Sequence, residues 1–480
     1  MKRTFTLTLL AVLLAGLAAP AGAQDKKDPK PGVAVTVYNG NYGVVREIRK
    51  LDVKDGEMKF TDVPTAIDPT TVHFESLSDG DAQLLEQNYQ YDLVSAEKLL
   101  QKYIDREIAV IAEGGRYSGT LLSFSASQLV LKGEEGIVMV NRPDNVRDIR
   151  FGKLPDGLLT RPTLLWEVAT KKPGQQLVKV MYQTANIDWE AAYVMVLGDG
   201  DTTADLTGWV SVNNRSGKTY TDAKLKFIAG DVQKVRQKRG VPRRMVKARP
   251  MGAEASAAME EKAFFEYHMY TLPRPSTVRD NEVKQLEMFE PVSNVKVHKK
   301  YLYQPLGGWR WRGGTNTGRY SQESPKKVGV FILFMNSEEN NLGIPLPAGK
   351  VRLYKEDPAD GSMEFIGEEA IDHTPKDEKL ELKVGNAFDL VGERKVTDFK
   401  VNTRAHWMKE TVQIKLRNHK EEEDVTIRVK EPMYRGRNWK LLETSHDLNK
   451  ADGDAHTAVW DIPVKADGEA VLTYTVEYTW

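Results

Sequence analysis

Val471-Leu472-Thr473-Tyr474-Thr475-Val476-Glu477-Tyr478-Thr479-Trp480 ends the chain on a two-residue period. Leu472, Tyr474, Val476, Tyr478 and Trp480 alternate with polar residues, so a strand made from them has one apolar face and one wet face. The same period runs through Val412, Ile414 and Leu416, and again through Val425, Ile427 and Val429. From Phe264 onward such runs follow one another. Repeated one-sided strands bury their apolar faces by stacking sheets, which predicts antiparallel β-sandwiches.

Further toward the amino terminus the texture changes twice. Short β-like runs begin at Val33 and reach about Leu85, separated by Asp55-Gly56, Pro64 and Asp79-Gly80 turns. Ser95 then has the chemistry of a helix cap, ahead of Leu99, Leu100, Tyr103 and Ile104 at helical spacing. Five tight strands follow, at Glu107 to Ile111, Tyr117 to Phe124, Leu129 to Leu131, Ile137 to Val140 and Val146 to Phe151. One short helix and five strands resemble the small barrel of SH3-like or Sm-like modules. Sm-like RNA binders carry an Asp and Asn pair after the second strand and a later Arg-Gly. Here those places read Ser123-Phe124-Ser125-Ala126-Ser127 and Arg147-Asp148, so only the barrel shape is expected and no nucleic-acid partner.

The fold expected is therefore mainly β: antiparallel β-sandwich domains with a small inserted SH3/Sm-like barrel preceded by one short helix. The organisation expected is a signal peptide at 1–23, a disordered leader at 24–32, an amino-terminal β region at 33–93 and the small barrel at 94–155. The first part of the sandwich region follows at 160–232, a flexible basic and Ala-rich insertion at 233–262, and the carboxyl-terminal sandwich region at 263–480. The signal peptide rests on Lys2 and Arg3, the apolar run from Leu7 to Leu17, and Ala21-Gly22-Ala23 before Gln24. It predicts an exported protein, periplasmic or extracellular.

Composition sets limits on the chemistry. The 480 residues hold 68 basic and 68 acidic side chains, so no global field attracts nucleic acid or an anionic membrane. Cysteine is absent, which excludes disulfides, thiolate catalysis and cysteine zinc sites. After the signal the longest apolar run, Val328 to Met335, is far short of the ~20 residues of a spanning helix and reads as a buried central strand. The alternation ending at Trp480 also resembles the last strand of an outer-membrane barrel. The helix, the basic insertion and charged stretches such as Lys420 to Asp424 interrupt any such series.

No His-Glu-x-x-His and no Gly-x-Ser-x-Gly is present, and no catalytic residue, metal site or cofactor is predicted. Gly343 to Val351 has a phosphate-loop look but wrong spacing and two prolines, and reads as a turn entering a strand. His446, Asp447, Asn449, Asp452, Asp454 and His456 are out of register for a calcium loop and read as a hairpin turn with Asp452-Gly453 at its tip. Asp372, His373, Asp377 and Glu378 would serve a hydrolase only if they converge in a cleft. The candidate ligand contacts are Trp309, Arg310, Trp311 and Arg312, set between glycine pairs, because flat aromatic faces and guanidinium groups suit sugars and anionic polymers.

Three stretches, taken together, carry a wider resemblance. They are Phe265 to Pro273 with Asp280 to Leu286, Leu346 to Tyr354 with Phe365 to Glu368, and His373 to Glu378 with Val384 to Asp389. From roughly Leu177 to Trp480 the chain resembles the mucoidy-inhibitor-like secreted family, domain of unknown function 4139. Typical members of that family carry a coiled coil where this chain has the small barrel. The resemblance implies the β fold and supplies no catalytic residues. Its name hints at surface polysaccharide. The function expected is binding or scaffolding in the cell envelope, with envelope polysaccharide or another envelope protein as partner.

Overall fold

The computed structural model describes residues 30–142, 144–155, 158–230, 232, 259–306 and 324–480. Among the described residues the protein is mainly β, with 66% in strands and 3% helical. The signal peptide at 1–23, most of the leader and most of the insertion at 233–262 lie outside the described residues. Pairing resumes inside that last stretch, where Glu260–Phe264 forms an antiparallel pair with Tyr267–Thr271.

One large core joins distant parts of the chain. Val35, Val45, Trp166, Val180, Trp189, Val210, Phe227, Ile332, Leu353 and Leu382 all belong to it. It lies between an eight-stranded sheet, a three-stranded sheet and the five-stranded sheet that contains Ile187–Leu197 and Thr203–Asn214. A second core, around Val412, Ile427, Trp460 and Tyr474, lies within another eight-stranded sheet. Two strands cross from one core to the other. Lys327–Met335 contributes Val328 to the second and Ile332 and Phe334 to the first, and the 24-residue strand Lys379–Asn402 contributes Leu380 and Leu382 to the first and Leu390 to the second. Lys327–Met335 sits between two partners in the interior of its sheet, which accounts for its unbroken apolar sequence.

Most pairings are antiparallel, as alternation predicts, but the sheets are mixed. Gly32–Tyr38 runs parallel to Tyr220–Ala229, Ile187–Leu197 to Gly349–Glu356, and His298–Tyr303 to Val425–Pro432. Gly349 is required at its place because a Cβ there would collide with the Ala191 carbonyl across the parallel pair.

The expected hairpin at Asp452-Gly453 is corrected. Asn438–Thr444 and Thr457–Val464, the strands on either side, occupy opposite edges of the eight-stranded sheet, so this connection crosses from one edge to the other. Local turn chemistry specifies a reversal of direction but not which strand the chain joins next.

The helix and five strands between 94 and 155 fall where the sequence places them. Ala96–Lys102 is capped by Ser95, whose Oγ accepts a hydrogen bond from Lys98 N at 3.3 Å. Leu100 and Tyr103 bury against Ile108, Val110, Leu121, Leu129 and Leu131. The sheet order is Val146–Arg150, Glu107–Ala112, Gly115–Phe124, Gln128–Gly133, Gly136–Asn141. Among the described residues no pairing joins its two outer strands, so it is an open sheet and not a closed barrel.

Candidate binding surface

The apolar phase of the terminal strand, Leu472, Tyr474, Val476 and Tyr478, is buried in the second core, which turns Thr475, Glu477 and Thr479 outward. Register then decides which side chains share that outer face. Asn438 and Trp407 lie opposite Thr479 on its two sides, Lys440 and Lys409 lie opposite Glu477, and Asn402 and Lys400 continue the two rows. The result is a polar face with Trp407 between hydroxyl and amide groups, and beside it a row of three lysines and one glutamate.

Lys400 stands directly opposite Lys409, an arrangement of like charges that costs stability. Glu477 relieves Lys409 at 3.0 Å and Asp398 relieves Lys400 at 3.2 Å, and Lys409 Nζ also lies 5.1 Å from the centroid of the Trp407 ring. At the rim, the half-exposed Trp480 meets the His406 ring edge-on at 6.1 Å. A shallow depression of about 560 Å³ opens here, lined by Arg437, Asn438, Trp439, Lys440, Ala455, Glu477 and Thr479. Its floor is ordered by Trp439, which donates from Nε1 to the Ala455 carbonyl at 2.8 Å.

The ionisable groups that are fully enclosed lie elsewhere. In the first core Glu47 accepts hydrogen bonds from Tyr182, from Lys218 Nζ at 2.7 Å and from Arg49 Nε at 2.5 Å. Burial raises its carboxyl, but the Lys218 ammonium and the Arg49 guanidinium outweigh that and hold it below the ordinary carboxylate value. Burial likewise lowers Lys218.

In the second core Glu431 accepts from Arg394 Nε at 2.7 Å and from Tyr474 at 2.9 Å, and Glu410 accepts from Arg435 Nε at 2.7 Å and Tyr434 at 3.0 Å. Burial raises Glu431 in spite of Arg394. Glu47, Arg394, Glu410, Glu431 and Arg435 are buried among core residues, with Arg49 partly exposed at the edge of the first cluster, so the clusters hold strands together.

Trp309, Arg310, Trp311 and Arg312 lie outside the described residues. The described residues on either side are Leu306 and Ser324, and the Ser324 Oγ accepts from Arg394 N at 3.2 Å just before Lys327–Met335 begins. Asp372, His373, Asp377 and Glu378 are all exposed in the connection before Lys379–Asn402, where His373 Nδ1 accepts from Ala348 N at 3.1 Å. They do not converge in a cleft. Gly343 to Val351 leads into Gly349–Glu356, as a turn entering a strand. In the cluster around His446, Asp452 and Asp461 pair with Arg428, at 2.7 Å each, and Asn449 donates to Asp461 at 2.7 Å. Among the described residues no group of three or more His, Asp or Glu side chains is placed to hold a metal ion. No helix among them is long and apolar enough to cross a membrane.

Sequence reasoning missed Trp407, Lys409, Asn438, Lys440 and Thr479. Each lies in a run whose alternation is legible, but only register brings four strands together into one face. Residues 178–480, which include this whole face, match the model of a family described as a domain of unknown function, DUF4139. No curated protein matches the chain.

Proposed function

The chain belongs to the family of the domain of unknown function DUF4139, and from that premise we propose a non-catalytic binding or scaffolding protein of the cell envelope. In this reading it is of the mucoidy-inhibitor-like kind, exported to the periplasm or beyond, and its ligand is surface polysaccharide or a partner protein. The basic, apolar and small-residue succession before Gln24 supports export. One observation carries the binding role: the outer face on which Trp407, flanked by Asn402 and Thr479, borders Lys400, Lys409 and Lys440. A flat aromatic ring among amides, hydroxyls and ammonium groups offers stacking, hydrogen bonds and charge to a sugar polymer. Trp309, Arg310, Trp311 and Arg312 would add a second contact.

The test is retention of the purified mature protein on immobilised envelope polysaccharide. Trp407→Ala weakens binding about tenfold, the loss of one aromatic anchor, and Trp309→Ala with Trp311→Ala weakens it further. Unchanged retention in both variants overturns the polysaccharide reading. Amino-terminal sequencing of protein recovered from cells checks export, since any start other than Gln24 contradicts the cleavage.

A further inference from the structure

The two edges of the small five-stranded sheet are built differently. Val146–Arg150 carries Arg147, Asp148 and Arg150 and has a register shift between Val146 and Asp148. Charges and bulges of this kind keep an edge from pairing with other strands. The opposite edge, Gly136–Asn141, reads Gly-Ile-Val-Met-Val-Asn, with no charge, no proline and an unbroken register to its neighbour. Val140 is buried and Val138 packs on the core, which leaves Ile137 67% and Met139 60% exposed on the outer side. A six-residue strand of high β propensity with an open row of backbone donors and acceptors is a template for another strand.

We infer that this edge is where two copies of the chain join, strand to strand and antiparallel, about a two-fold axis at Val138. In a sheet continuous across the axis, opposing residues share a face, which allows only registers that keep the alternation in phase. Centring on Val138 sets Ile137 opposite the partner's Met139 on both sides of the axis, so four exposed apolar side chains cover one another. Centring on Met139 sets Ile137 opposite the partner's Asn141, and centring on Ile137 leaves Met139 facing the turn at the partner's Glu135, so of these three registers the one at Val138 matches apolar with apolar. Two five-stranded sheets thereby become one of ten strands whose outer edges are both the charged, bulged strand.

The absence of cysteine from the chain makes the register directly readable. Opposed residues in an antiparallel pair come within disulfide reach, whereas their diagonal neighbours stand about 7–8 Å apart. Full-length Ile137→Cys and Met139→Cys proteins, mixed and oxidised, should cross-link several-fold more than either protein alone. Met139→Lys, an exposed change that leaves the core intact, should convert the dimer to monomer in analytical ultracentrifugation while the circular dichroism spectrum is unchanged. A wild-type chain that sediments as a monomer up to its solubility limit overturns the inference. Cross-linking of either single variant that equals or exceeds that of the mixture overturns it as well, because it places the axis elsewhere.

Discussion

Glu47 in the first core and Glu431 in the second are both buried, each beside a basic side chain, yet their carboxyls shift in opposite directions. Glu47 accepts from Lys218 and Tyr182 on one oxygen and from Arg49 on the other, and its carboxyl is held below the ordinary value. Glu431 accepts from Arg394 and Tyr474 on the same oxygen, while its Oε2 has no partner among the described residues, and burial pushes its carboxyl up. The difference follows the charges within reach: two cations flank Glu47, whereas Glu431 has one cation and feels the like charge of Glu410, so depth alone does not set the direction. The first cluster also reaches solvent through the partly exposed Arg49 and Asp62, whereas Arg394, Glu410, Glu431 and Arg435 are enclosed.

The largest expected effect follows from that enclosure. Arg435→Met leaves the Glu410 carboxylate buried with only tyrosine donors, and breaking a buried pair in this way costs about 3–5 kcal/mol. Adding Glu410→Leu removes the stranded charge and should recover most of the loss. Urea unfolding followed by tryptophan fluorescence measures both, because Trp460 in the second core stacks on Tyr474 at 5.1 Å and senses this region. Lys218→Met is the comparison variant, and since Arg49 still pairs with Glu47 it should cost less, about 1.5–3 kcal/mol. A Lys218 loss equal to the Arg435 loss would break the contrast between the two cores.

Much of this was legible in the alternation and some was not, for physical reasons. The apolar phase of Leu472 to Tyr478, the Ser95 cap and the five strands after it were readable because each depends on neighbours within a few residues. The buried charges left a trace as well: Glu410 sits in phase with Val412 and Ile414, Glu431 with Ile427 and Val429, and Glu47 with Val45, all on the buried side. A charge in the apolar phase announces a partner without naming it. The parallel pairing of Gly32–Tyr38 with Tyr220–Ala229 was not legible, and neither was the face around Trp407, because period two fixes a strand's faces but not its neighbours.

Acid sharpens the comparison through sign. Glu47 has a folded value below that of the unfolded chain, so its contribution is present above about pH 4.5 and is lost as pH falls further through the folded value. Glu431 has a folded value above that of the unfolded chain, so its contribution is present below about pH 4.5 and is lost as pH rises through the folded value. Stability measured by urea unfolding across this range should therefore respond oppositely to two substitutions. Glu47→Gln flattens the loss below pH 4.5, and Glu431→Gln flattens the change above it. If both variants flatten the same limb, the two carboxyls do not differ as their charged neighbours imply.

The smallest effect is expected at a surface ion pair that is at least as close as the Lys218–Glu47 and Arg435–Glu410 pairs in the cores. Lys465 Nζ lies 2.6 Å from Asp424, closer than the 2.7 Å of Lys218 to Glu47 or of Arg435 to Glu410. Its side chain is 84% exposed, however, and that of Asp424 is 55% exposed, so water and salt screen the attraction and replace the partner when it is removed. Lys465→Ala should leave the unfolding midpoint unchanged in low and in high salt. A loss on the scale of Lys218→Met would mean that distance and not surroundings governs these pairs, and the two cores would then owe their difference to something other than how completely each encloses its charges.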